Sequence, residues 1–184
     1  WTVLIYVLIV LVGFVAILSA SYEEGAESIF SFSHFYMKQL VWMGISFAVA
    51  VVVLLVDASI YHKWAYLFYV LGLLTLVAAL LFGREVNGAK AWFEIGSVRI
   101  QPVEFAKIAT ALALARVMSS SSFSINRAGD LFKVGLVICL PLLIIVMQND
   151  TGSGIVLVSL LFVLSREGLN QWLCFPVILI AVLF

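Results

Sequence analysis

The stretch IQPVEFAKIATALALA, Ile100 to Ala115, carries proline near its start and no charge from Ile108 to Ala115, the pattern of a helix that belongs in a bilayer. Yet Glu104 and Lys107 fall within its first two turns. A carboxylate or an ammonium in hydrocarbon costs about 2.5–3.5 kcal/mol on insertion scales, so the two charges need a reason to be there. Gln101, Glu104 and Lys107 recur at every third position and therefore share one helix face. With a rise of 1.5 Å per residue, Lys107 lies only about 8 Å from Pro102 along the axis, in the outer part of a membrane rather than its centre. Two readings follow: a local ion pair that neutralises itself, or the wall of a polar cavity.

The surrounding chain supports a bilayer. Of 184 residues, 65% are hydrophobic and 11% charged, and the mean hydropathy is +1.21. A soluble domain of this length has no interior able to hide so much apolar surface. The expected fold is all-α, a polytopic membrane bundle forming a single transmembrane domain. Ten basic and ten acidic side chains cancel, so no field suited to nucleic acid exists and partners are expected in the membrane. Cys139 and Cys174 both sit in apolar runs and read as small buried or lipid-facing residues rather than a disulfide.

Apolar segments are expected to span at 1–20, 39–56, 64–82, 102–117, 131–147 and 155–165, with a seventh starting at 172–184. The first resembles a signal peptide at Ser19-Ala20-Ser21, but it lacks a basic leader and outruns the usual h-region of about 7–15 residues. The chain starts without methionine and stops within an apolar run too short for the roughly 20 residues of a span, so a longer protein is expected. Taking the N-terminus as cytoplasmic puts Lys63, Arg116, Arg127, Lys133 and Arg166 inside, against Lys38, Arg84, Lys90 and Arg99 outside. The loop 83–101 is then external. Asn87-Gly88 signals a turn, and 92–100 is expected to fold as a hairpin about Gly96-Ser97 with Trp92 and Phe93 at headgroup level.

A second polar cluster, Gln148-Asn149-Asp150-Thr151-Gly152-Ser153-Gly154, breaks the apolar sequence between two short spans. It reads either as an exposed connector or as a turn dipping below the outer surface, with the two glycines permitting close approach of backbone. Both clusters fall on one side of the membrane. Asp150 and Glu104 are then expected to share Lys107, or to hold a cation between them.

These residues also carry a family resemblance. Asn87-Gly88-Ala89-Lys90-Ala91-Trp92, Ile100-Gln101-Pro102-Val103-Glu104-Phe105-Ala106-Lys107 and Gln148-Asn149-Asp150-Thr151-Gly152-Ser153 resemble the SEDS (shape, elongation, division, sporulation) family over the whole chain. The family patterns are N-G-A-x-x-W, Q-P-S-E-[FL]-A-K and Q-x-D-x-G-[ST]. Val103 replaces a common serine, and Asn149 and Thr151 replace common proline and leucine, while Glu104, Lys107 and Asp150 are retained. Lys38-Gln39-Leu40 and Phe105 look more like the RodA branch than the FtsW branch.

The resemblance implies about ten spans in a complete protein of the bacterial cytoplasmic membrane. It also implies a peptidoglycan glycosyltransferase that polymerises lipid II at the outer face, in cell elongation or division. Undecaprenyl pyrophosphate is the leaving group and a class B penicillin-binding protein the partner. The candidate substrate-binding residues are Glu104, Lys107, Asp150, Gln101, Gln148, Asn87 and Arg99. The family's general base is expected beyond Phe184, no cofactor is assigned, and a divalent cation is the one candidate. A flippase for lipid-linked precursors or an ion-coupled transporter is the alternative, and a scaffold a third reading. Charges confined to one face, apolar mid-spans and no visible inverted repeat weigh against transport.

Overall fold

Among the residues described by the computed structural model, which are 1–20, 35–86, 88–96 and 98–168, four helices are long and apolar enough to cross a bilayer. The chain order is α1 (Thr2–Ala20), α2 (Phe35–Leu55), α3 (Ala58–Phe82), β1 (Arg84–Val86), β2 (Ala89–Ile95), β3 (Val98–Ile100), α4 (Pro102–Met118), α5 (Ala128–Met147), α6 (Thr151–Val158) and α7 (Leu160–Arg166). The four long ones are α1, α2, α3 and α5. Helices dominate because hydrocarbon offers no partner for backbone N–H and C=O groups. The span expected from Trp172, together with Cys174 and Asn87, lies outside the described residues, and Cys139 has a free thiol.

The described chain forms two compact units, Trp1–Asp57 and Ala58–Phe184. In the first, α1 and α2 pack on each other and present Val, Leu and Ile outward. The second contains the core. α3 buries Ala65, Tyr69, Gly72, Leu76 and Ala79, a stripe of alternating four- and three-residue steps. It meets α4 through Ala106 and Ala109. A Cβ placed on Gly72 would stand 3.3 Å from the Ala106 Cα, so glycine sets the spacing of the two helices. α5 buries Val134, Val137, Ile138, Pro141 and Ile145 against the same core.

Pro141 leaves a specific debt inside α5. It has no N–H, so the carbonyl of Val137, four residues back, loses its helical partner. The Tyr69 hydroxyl of α3 donates to that carbonyl at 3.0 Å, within the buried core. Replacing Tyr69 by phenylalanine is therefore expected to destabilise the protein by about 1–3 kcal/mol, the cost of a buried group left unsatisfied. Thermal unfolding of the purified variant measures this, and an unchanged midpoint would mean that Val137 has another donor.

Between α3 and α4 the chain makes a three-stranded antiparallel sheet in the order β1-β2-β3. The expected hairpin at 92–100 is present as β2 and β3, with Glu94 opposite Arg99 and Phe93 opposite Ile100. β1, which pairs with β2 through Glu85 and Lys90, is an addition to the expected all-helical plan. Gly88 and Gly96 take positive φ angles of 85° and 64°, the backbone that these tight turns demand. Gly83 makes the corner from α3 into the sheet; a Cβ there would collide with the Ala79 carbonyl oxygen. At the opposite end of the helices, buried Asp130 holds the turn before α5 by accepting from Lys133 at 3.0 Å and from the Ser124 N–H at 3.3 Å.

Candidate functional site

The turn between α5 and α6 is only three residues long, Gln148, Asn149 and Asp150. Asn149 adopts φ 57°, its N–H donates to the Val146 carbonyl at 3.0 Å, and the Asp150 N–H donates to the Ile145 carbonyl at 3.2 Å. This pair of bonds is the Schellman termination, with asparagine in the left-handed position more often held by glycine. Gly152 and Gly154, expected to make the turn, instead lie inside α6. Gly154 is buried against α5, where a Cβ would meet Leu142 at 3.5 Å and Ile145 at 3.8 Å, ordinary contact distances.

Asp150 closes one helix and opens the next. Its Oδ1 accepts the Ser153 N–H at 3.2 Å, capping α6. Its Oδ2 accepts the Gln101 side-chain amide at 2.7 Å. Gln101 stands at the N-cap position of α4 but makes no cap bond, because its side chain reaches across to Asp150. The two sequence clusters thus meet directly, with Gln101 as the link.

Lys107 is held by Glu104. Its Nζ lies 2.8 Å from Glu104 Oε1, one turn away on α4. The Glu104 side chain is 57% exposed and that of Lys107 20%, so the pair lies along a face that the described core does not cover. The expected sharing of Lys107 by Glu104 and Asp150 is not what forms. Each carboxylate has its own partner, and the Asp150 partner is a neutral amide.

Gln148 is a clasp rather than an open binding group. Its side chain is buried at 1% exposure and donates through Nε2 to the Leu76 carbonyl of α3 at 2.8 Å. Its own carbonyl accepts the Lys90 N–H of β2 at 2.9 Å. Its Oε1 has no partner among the described residues. The Lys90 ammonium donates to the Leu81 carbonyl at the end of α3 at 3.2 Å. The sheet therefore meets the α5–α6 turn at Gln148 and satisfies that residue's carbonyl.

Arg99 lies on the sheet. Glu94 bridges two guanidinium groups, Arg99 at 2.9 Å and Arg84 at 2.6 Å. Both arginines are largely exposed, at 60% and 73%, so their remaining donors are open to ligands. The role of Glu94 has a signal in the sequence: two strands about Gly96 set it opposite Arg99. Ser153 has one too, since an aspartate before Thr-Gly-Ser and an apolar run marks a helix start. The donors for a divalent cation do not converge. Both Asp150 oxygens accept N–H groups, Glu104 is tied to Lys107, and no cluster of three His, Cys, Asp or Glu occurs among the described residues.

Comparison with known proteins gives the family. Residues 1–184 match the model of the FtsW, RodA and SpoVE family, described as cell cycle protein. The peptidoglycan glycosyltransferase RodA of Treponema pallidum is 36% identical over 156 residues, covering 80% of this chain and 34% of the relative. The crystal structure of the rod shape determining protein RodA of Thermus thermophilus aligns with a TM-score of 0.85 at 28% identity, over 98% of this chain and 57% of that one. A chain from a peptidoglycan synthase complex, solved for its coordination of polymerization and crosslinking, aligns with a TM-score of 0.78 at 28% identity. It is matched over 51% of its length. The chain thus spans about a third of the curated relative and little more than half of the solved ones.

Proposed function

Because the chain belongs to the FtsW, RodA and SpoVE family, the SEDS group of the sequence motifs, we propose that it forms part of a peptidoglycan glycosyltransferase. The enzyme polymerises lipid II at the outer face of the bacterial cytoplasmic membrane, with the N-terminus of this chain cytoplasmic. The observation that carries this reading is the Gln101–Asp150 bond, which joins the Glu104/Lys107 motif to the α5–α6 turn under an external sheet. Supporting it is the printed activity of the Treponema relative, peptidoglycan glycosyltransferase.

In this reaction the C4 hydroxyl of one sugar attacks the anomeric carbon of another chain, and undecaprenyl pyrophosphate departs. The attacking oxygen loses a proton and the pyrophosphate gains negative charge. Lys107 is the cation of this chain suited to the developing charge, and Glu104 fixes its position. Arg84 and Arg99 add exposed donors on the sheet that precedes α4. Asp150 holds the mouth of α4 to the α5–α6 turn, and its charge sets the field there. We assign neither the general base nor a cofactor to these residues. A class B penicillin-binding protein is the proposed partner, in keeping with the neighbour from a synthase complex that couples polymerization to crosslinking.

The test uses the full-length protein, purified with its transpeptidase and supplied with lipid II. Glycan strands that lengthen with time are the expected product. Translocation of labelled lipid II across vesicles without polymer would instead establish the transport alternative.

A further inference from the structure

On the flank of the α3–α4 contact, an open apolar groove encloses about 310 Å³. Tyr61, Phe68 and Leu71 of α3 form one wall, and Phe105, Ile108 and Leu112 of α4 the other. The floor is low because Gly72 and Ala109 are small. An unfilled groove forfeits dispersion contacts along its whole lining, so in a bilayer something apolar and flexible fills it.

The foot of the groove is charged. Arg116 follows Phe105, Ala109 and Leu112 on the same face of α4. Its guanidinium stands 5.0 Å from the centre of the Tyr66 ring, and its Nη1 donates to the carbonyl of His62, the residue after Tyr61. That bond uses one of five donors in a rigid fork and leaves others for an anion. From Arg116 to Phe105 the helix rises about 16 Å, close to half of the roughly 30 Å hydrocarbon core, which is the depth of one leaflet. Trp64, 46% exposed and on the Tyr61 and Phe68 face of α3, stands where interfacial aromatics sit.

The charge at this end of the second unit has a sign. Lys63, Arg116, Arg127, Lys133 and Arg166 outnumber the carboxylates there, which are Asp130, Glu167 and Asp57 just before α3. At the sheet end, Arg84, Lys90, Arg99 and Lys107 are matched by Glu85, Glu94, Glu104 and Asp150. We propose that the α3–α4 groove docks an acyl chain of an anionic phospholipid, whose headgroup is received by Arg116 at its foot. A zwitterionic lipid would fill the groove equally well but would gain nothing from the cations.

Native mass spectrometry of the full-length protein, delipidated and then titrated with phosphatidylglycerol or phosphatidylcholine, tests this. Wild type should retain phosphatidylglycerol in preference by roughly fivefold, the ratio given by about 1 kcal/mol for one interfacial cation. Arg116→Gln should bring the two lipids level. Arg116→Lys, which loses the fork but keeps the charge, should hold the preference and so separates headgroup binding from the local bond to His62. Leu71→Trp fills the groove and should lower retention of both lipids. Equal retention of the two lipids by wild type, or an unchanged preference in Arg116→Gln, overturns the headgroup assignment. Undiminished retention in Leu71→Trp overturns the groove as the site, as it would if a helix of the longer protein lay there.

Discussion

Asp150→Asn is expected to lower lipid II polymerisation about a hundredfold, the effect of losing about 3 kcal/mol of electrostatic stabilisation. The variant is informative because the geometry around Asp150 survives it. The retained side-chain oxygen still accepts the Ser153 N–H, so α6 keeps its cap. The new amide faces Gln101, whose side chain turns over to offer its oxygen in place of its nitrogen. Shape and bonding persist while the charge goes. Stability should change by no more than about 0.5 kcal/mol, as for a conservative change at a partly exposed position. Asp150→Ala, by contrast, also removes the cap and should cost about 1 kcal/mol. The measurement is polymer formed by full-length variant and transpeptidase at matched protein levels. A rate within about twofold of wild type, under 0.5 kcal/mol in barrier, would leave Asp150 as a clasp between helices and nothing more.

The second large effect belongs to Lys107. Lys107→Met should also reduce polymerisation about a hundredfold, because it removes the cation proposed to meet the departing pyrophosphate. Stability is a separate matter. From the sequence, Glu104 and Lys107 look like a buried pair, for which losing one member costs about 3–5 kcal/mol. In the structure Glu104 is 57% exposed, so its carboxylate is not stranded when the lysine goes. The loss should instead be near that of an exposed pair, about 0–1 kcal/mol. Adding Glu104→Gln to Lys107→Met should leave the protein folded and still inactive. Normal polymerisation by that double variant would sink the role of the pair.

What the sequence made legible follows from how local each signal is. The long helices were readable because apolar runs near 20 residues have few other uses. The helices extend beyond the apolar runs: α2, α3 and α5 begin before 39, 64 and 131, since first turns such as Phe35-Tyr36-Met37-Lys38 tolerate polar residues. The apolar run over 155–165 reads as one helix in the sequence; the helical segment begins at Thr151 and is divided at Ser159. The meeting of the 101–107 and 148–154 clusters was legible as shared depth. Its partners were not, because the choice of Gln101 over Lys107 for Asp150 depends on the orientation of α4. Composition points to Gly152 and Gly154 for the turn, whereas Asn149 makes it, and an asparagine in the left-handed region has a weaker signature than glycine. The bonds from Gln148 to Leu76 and from Lys90 to Gln148 join positions far apart in the chain, beyond the reach of any periodicity.

The Tyr69–Val137 bond bears on the order in which the protein assembles. The two residues are 68 positions apart, so α3 is already in the bilayer when α5 leaves the ribosome and enters it. Until they dock, α5 carries through hydrocarbon a carbonyl that its own backbone cannot satisfy, on the stretch before Pro141. That makes α5 a poor lone tenant of the membrane and gives it a reason to seek α3 at once. Insertion and association, separable steps for a plain apolar helix, are coupled here by one missing hydrogen atom. The proline and the hydroxyl together act as an assembly cue: the helix that needs a donor follows the helix that brings one.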